Sequence, residues 1–399
     1  MDAAFFADWL NLILRWAHLI VGIAWIGASF YFIWLDNSLR PPAAGPAADD
    51  GVGGELWAIH GGGFYHVQKY RVAPPALPAP LHWFKWEAYS TWLSGFALFV
   101  AMYYAHARTF MIDPSVANIT PAVAIAISVA MIVGSWVLYD QLCKRLGFAH
   151  ERWLWVAIVL FVAASAFALS HVYAGRAVYY QVGAMLGTWM VANVAHVIIP
   201  SQRQLVEAKR EGRAPDAVHG LRGKQRSVHN NYLTLPVLFV MISNHYPMTW
   251  GHPHAWLVLL AILLLAGFVR HFFNLRHRGR TAWWIPVTAA LGTLVLAVAI
   301  APTRVAPPAG AAAPAFEDVE RIVTTRCAGC HAEAPRQPGF AIAPKGVMLD
   351  TPARIRAHAA AIDQQAVRTH AMPIGNLTAM TDAERATLGA WIAAGAPAK

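Results

Sequence analysis

Two thiols in a C-x-x-C pair with an imidazole directly behind them, Cys327-Ala328-Gly329-Cys330-His331, give the strongest chemical signal in the chain. C-x-x-C-H is the attachment signature of c-type haem. Both thiols bond covalently to the porphyrin edge, and the adjacent His331 is then held beneath the iron as its proximal ligand. A C-x-x-C pair alone also serves zinc or thiol redox chemistry, but neither needs a His at that place. The stretch "AMPIGNLTAMT" offers the sixth ligand. Met372 is favoured there because Pro373 stiffens its loop. Met380 competes from eight residues later, Met348 is a weaker alternative, and any Met can simply fill a core. Ligation by His331 and Met372 would raise the haem potential and suit an electron acceptor.

Histidines in the apolar part of the chain are the next signal. Sorted by depth in the expected spans, His18, His106, His171, His245 and His254 fall near one face, and His82, His196, His229 and His271 near the other. Ionisable groups in spans usually mark a site or a pathway. Each one alone reads more readily as a hydrogen-bonded interfacial His. As a layer they resemble the way a bundle holds a second, non-covalent haem b with facing imidazoles. His18, His106, His171, His196 and His245 are the candidate ligands for haem b or another metal.

A third group could handle a flat anion. "LPAPLHWFKWEAY" brings His82, Lys85, Trp86 and Glu87 to the start of an apolar run. An aromatic belt with basic anchors is the ordinary reading of such a cluster. The same residues also supply ring faces to stack, cations to neutralise and a carboxylate to move protons. "SVHNNYLTLPVLFVMISNHY" adds His229, Asn230 and Asn231, whose amides can read the edge of a polar heterocycle.

The elements that must position these residues follow from composition. Hydrophobic residues make up 57% and charged residues 13% of the 399, against roughly 25% charged in soluble domains. Eight apolar runs, roughly 8–35, 88–106, 121–139, 153–173, 177–200, 228–246, 253–275 and 282–303, are long enough to span a bilayer. The first follows Asp2 and lacks a basic n-region, so it reads as a span and not a cleaved signal. Taken alternately, the loops 36–87, 140–152, 201–227 and 276–281 carry seventeen Lys and Arg, and the opposite set only Arg108 and Arg176. Basic loops stay cytoplasmic, which puts both termini in the periplasm, where attachment thiols fit. The net charge of +10 is then mainly a topology signal, with no nucleic-acid partner implied.

The expected fold class is all-α: an eight-span transmembrane helix bundle plus a small class I cytochrome c-like helical domain. Residues 1–303 form the membrane domain, with a 36–87 cytoplasmic loop. Within that loop "ELWAIHGGGFYHVQKY" alternates about a glycine turn and signals a hairpin. Residues 304–313 form a Pro/Ala linker, and 314–399 the periplasmic cytochrome c domain. "FEDVERIVTTRC" reads as a helix leading into the haem motif. "TDAERATLGAWIAAGA" reads as a closing helix with a Thr381/Glu384 capping box.

Four stretches carry a family resemblance: "WIGASFYFIWLDNSL", "GGGFYHVQKYRVAPPALPAPLHWFKWEAYSTWLSGF", "HNNYLTLPVLFVMISNHYP" and "AMPIGNLTAMTDAERATLGAWIAAGA". They resemble the bacterial membrane-integrated urate oxidases, or urate hydroxylases, which join an eight-span domain to a cytochrome c domain. The opening "RWAHLIVGIAWIG" is also similar to the start of copper-resistance-type and haem-synthesis-type membrane proteins. The resemblance implies an enzyme of the bacterial inner membrane that oxidises urate to 5-hydroxyisourate. Electrons would leave through haem c to a soluble cytochrome c or a terminal oxidase of the respiratory chain. Two other classes remain open: another b/c-type conduit, such as a quinol:cytochrome c dehydrogenase, and a transporter or sensor whose cytochrome reports redox state.

Overall fold

The structure is a computed structural model describing residues 3–301, 314–338 and 340–398. The 304–313 linker therefore lies outside the described residues. The chain is mostly helical. Its larger part comprises α1 (Ala3–Ser38), α2 (Trp86–Phe99), α3 (Pro121–Leu146), α4 (Glu151–Ser170), α5 (Gly175–Asn193), α6 (Ile199–Arg210), α7 (Ala217–Ser243), α8 (Ala255–His277) and α9 (Trp284–Ala299). Among the described residues five stretches are long and apolar enough to cross a membrane: Phe5–Ser38, Pro121–Leu146, Glu151–Ser170, Gly175–Arg210 and Ala255–His277. Helices also occupy the runs expected at 88–106, 228–246 and 282–303, but these are shorter or half polar.

α5 is the central helix. Tyr179, Val182, Met185, Leu186 and Trp189 on it are wholly buried, and it packs on α3, α4, α7 and α8. Its polar positions are satisfied locally: Gln181 accepts from Ser128 Oγ at 2.6 Å and donates to the Ser128 carbonyl at 3.0 Å. At the periphery, α9 packs chiefly on α8 and turns Trp283, Trp284, Val287, Leu291, Leu294 and Val298 outward.

Helices run further than the apolar runs do. The charge count reads 201–227 as loop, but the chain is helical over Ile199–Arg210 and again from Ala217. Lys, Arg and Gln are good helix formers, so backbone hydrogen bonding continues after hydrophobicity ends. Arg226 is consequently no loop charge. It is buried and pairs with Asp140 of α3 at 2.7 Å.

The expected hairpin is present: β1 (Val52–His60) pairs antiparallel with β2 (Gly63–Tyr70) across Gly61 and Gly62. Both glycines have positive φ, which explains the residue type at the turn. Lys69 of β2 and Lys224 of α7 both pair with Asp36, pinning the hairpin to the end of α1.

The C-terminal unit has its own core, built on Val319, Ile322, Val323, Leu349, Ile355, Leu388 and Trp391. It opens with α10 (Phe316–Arg326) and closes with α11 (Asp382–Ala393), whose Thr381/Glu384 capping box is formed. Its Ile374–Asn376 turn lies against the short Ala107–Phe110 helix of the bundle. Gly375 has φ 56°, and a Cβ there would run into the carbonyls of Thr109 and Ile112.

Candidate functional site

A cavity of about 760 Å³ opens between the ends of α1, α4, α7 and α8. Ile158, Val162, Leu186, Leu263 and Phe268 line its deep part; Asp36, Asn37, Glu151, Lys224 and Arg278 line its mouth. The mouth carries two cations and two carboxylates and is cross-braced. Lys224 pairs with Asp36 at 2.9 Å, and Arg278 donates to Asn37 at 2.9 Å.

A polar cluster stands in this wall where α7 meets α8. Arg270 and Asn274 lie four residues apart on α8 and so share one helical face. Both donate to one atom of α7: Asn231 Oδ1 receives Arg270 Nε at 3.1 Å and Asn274 Nδ2 at 2.9 Å. All three side chains are more than nine-tenths buried. The arrangement leaves three atoms without a partner among the described residues: Asn231 Nδ2, an Arg270 terminal nitrogen and Asn274 Oδ1. Asn231 and Asn274 line the cavity, together with Tyr232 and His271, whose hydroxyl and Nδ1 are 2.7 Å apart. The Arg270 guanidinium lies 3.9 Å from the Phe30 ring centre, and the ion pairs of the described residues leave it out.

Behind this wall a second buried network ties α3, α5 and α7 together. Asn193 accepts from Arg226 at 3.1 Å and donates to Tyr139 at 3.0 Å and to Asn230 at 2.8 Å. Tyr139 meets His229 Nδ1 at 2.8 Å, while His229 Nε2 has no partner among the described residues. The His229 ring sits edge-on to Trp155, which lines the cavity.

The sequence-chosen residues therefore separate. Asn231 lines the cavity, and His229 and Asn230 stand in the network behind it. His82, Lys85, Trp86 and Glu87 line no part of the cavity. Trp86 is exposed, with Lys85 near its ring, and His82 packs edge-on to Phe84. One oxygen of Glu87 is buried without a partner among the described residues.

Of the histidine layer, one member is engaged between helices. His18 Nδ1 lies 3.1 Å from both the Thr91 carbonyl and Ser94 Oγ, so it clasps α1 to α2. His106, His171, His196 and His245 are exposed. Among the described residues no group of three or more His, Cys, Asp or Glu is placed to hold a metal.

At the C-terminal motif, Cys327 and Cys330 are both free thiols. Burial pushes the Cys327 thiol up to about 12 and raises Cys330 too. Thiols held protonated do not suit a reactive redox pair. His331 Nδ1 is 2.9 Å from the Val347 carbonyl. Donation to that oxygen fixes the tautomer and leaves Nε2 as the metal-binding nitrogen. The Met372 backbone is pinned, donating to Gln365 at 2.9 Å and accepting from Arg385 at 2.7 Å. Its side chain is only half-buried, whereas Met380 is fully packed in the core. These residues fit a covalently attached c-type haem.

Arg270 and Asn274 are what sequence reasoning missed. The available signal was an Arg and an Asn four apart in "AGFVRHFFNLRH", an otherwise apolar helix. In comparisons with known proteins, residues 4–301 match the protein-family model described as urate oxidase N-terminal. No curated protein and no solved structure matches the chain.

Proposed function

The chain belongs to the urate oxidase N-terminal family, and from that membership we propose that it is a membrane-bound oxidoreductase converting urate to 5-hydroxyisourate. The family match across the bundle carries this reading. The half-reaction balances as urate plus water giving 5-hydroxyisourate, two protons and two electrons. Water oxygen bonds to the ring carbon left electron-poor by oxidation. Each released proton needs a nearby base, and the histidines and carboxylates at the mouth side of the bundle supply that type of group.

A haem c held by Cys327, Cys330, His331 and Met372 would supply one-electron acceptance, so one urate needs two discharges. The chain's own contribution at that motif is positional. Val347 orients His331, and Arg385 holds the Met372 segment. With the C-terminal unit seated on the 107–112 segment, donor and acceptor stay at high effective concentration. The unit's place supports the expected topology, with the basic loops on the cytoplasmic side and both termini periplasmic. On this reading all eight apolar runs cross the inner membrane, residues 1–303 form the membrane domain and 314–399 the cytochrome domain. A soluble cytochrome c or terminal oxidase then takes the electrons.

The test is turnover of purified full-length protein with urate and ferric cytochrome c without oxygen. Urate loss matched by two equivalents of reduced cytochrome c is expected. Unchanged urate in protein that retains its haem would refute the reading.

A further inference from the structure

We infer that the α7–α8 cavity is a recognition site for a planar oxo-heterocyclic anion, read by Asn231 and Asn274 in its wall with the Arg270 guanidinium hydrogen-bonded directly behind Asn231, and reached from the face bearing the basic loops. The identity of the anion as urate rests on the proposed function; the site itself rests on geometry.

Three observations converge. First, the cluster is incomplete without a ligand. A buried polar atom left unpaired is costly, and here three belong to one hydrogen-bonded cluster, of which Asn231 and Asn274 line the cavity. Second, the cluster carries a buried guanidinium whose partners are a neutral amide oxygen and a ring face. A buried charge without a counter-charge is expensive, so the missing partner is an anion. Third, the unpaired atoms alternate in kind. Asn231 Nδ2 and the Arg270 nitrogen donate, and Asn274 Oδ1 accepts. A heterocycle whose rim carries both carbonyl oxygens and an N–H offers both kinds of partner. A simple carboxylate offers Asn274 no donor.

The surroundings agree. Trp155 and Phe268 offer ring faces for a flat ligand. Lys224 and Arg278 at the mouth are balanced by Asp36 and Glu151, so the cation left without a counter-charge is Arg270 behind the wall. A quinone ring would suit the apolar depth equally well but brings no charge to Arg270.

Gly267 gives a direct way to close the chamber. It lines the cavity, and a Cβ built there meets no atom within 4 Å. Gly267→Leu should therefore fill space without a clash, and Leu favours helix over Gly.

The experiment is equilibrium binding of radiolabelled urate to full-length protein in lipid nanodiscs. The protein is kept reduced and oxygen-free so that no turnover occurs. Wild type should bind. Arg270→Gln and Asn274→Ala should weaken binding, the former by about 30-fold or more, and Gly267→Leu should abolish it while keeping the wild-type melting temperature. Unchanged affinity in Arg270→Gln and Gly267→Leu overturns the site, and continued urate turnover by those variants leaves the proposed function standing. Binding that the variants abolish, in a wild type that never turns urate over, supports the site and removes the function. Displacement of nothing by urate, with a short-chain quinone binding equally to wild type and Arg270→Gln, also overturns the site.

Discussion

Arg270 Nε donates to Asn231 Oδ1 at 3.1 Å, and this bond joins α8 to α7 at the wall of the bundle cavity. A neutral amide stands where a stability-optimised core would place a carboxylate. Asn231→Asp tests that choice. The new carboxylate would pair with Arg270, so the melting temperature should equal or exceed that of wild type. Anion binding should fall by about tenfold or more, because the guanidinium is already neutralised. Lower stability together with unchanged urate kinetics would show that Arg270 is structural.

At the C-terminal motif, Cys327→Ala or Cys330→Ala should remove normal covalent haem attachment, checked by haem staining after denaturing electrophoresis. Met372→Ala should keep haem bound and lower its midpoint potential. Met380→Ala should instead destabilise the core by about 2–5 kcal/mol. A potential drop in Met380→Ala, absent from Met372→Ala, would reverse the axial assignment.

Much of this was legible in the residues. Eight apolar runs predicted helices where helices stand, and Gly61–Gly62 predicted the hairpin turn, because periodicity and φ preference are local properties. Thr381 and Glu384 predicted their capping box for the same reason. Asn231 was legible as an amide near a span end. Its partners were not, since Arg270 lies 39 positions away and meets it only through packing of α7 on α8. The cluster at Lys85 and Trp86 shows the converse. Density in sequence put them forward, but the start of α2 places them outside the cavity wall.

Acid should loosen the closing helix of the C-terminal unit. Burial works to raise the Glu384 carboxyl, but the Thr381 N–H and Arg326 outweigh it and hold the group below its ordinary value of 4.5. A carboxyl depressed by folding stabilises above its unfolded pKa, and that stability is lost as pH falls below 4.5 through the folded value. Protection factors across residues 381–393, which correct for the intrinsic exchange rate at each pH, should fall from pH 5 to pH 3 more in wild type than in Glu384→Gln. An equal fall in both would assign the acid response elsewhere.

Gly375→Val should disturb the seating of the C-terminal unit on the bundle, because its side chain would meet the Thr109 and Ile112 carbonyls at a positive φ. Limited proteolysis should cut the 302–313 region faster in this variant, with haem content unchanged. An unaltered cleavage rate would mean that this contact does not hold the unit in place.

Anaerobic addition of urate to the purified, fully oxidised protein, followed through the haem absorption bands, tests the central claim most directly. The expected result is reduction of the haem with half an equivalent of urate per haem, and formation of 5-hydroxyisourate. A haem that dithionite reduces but urate leaves fully oxidised would contradict urate oxidation coupled to the C-terminal motif.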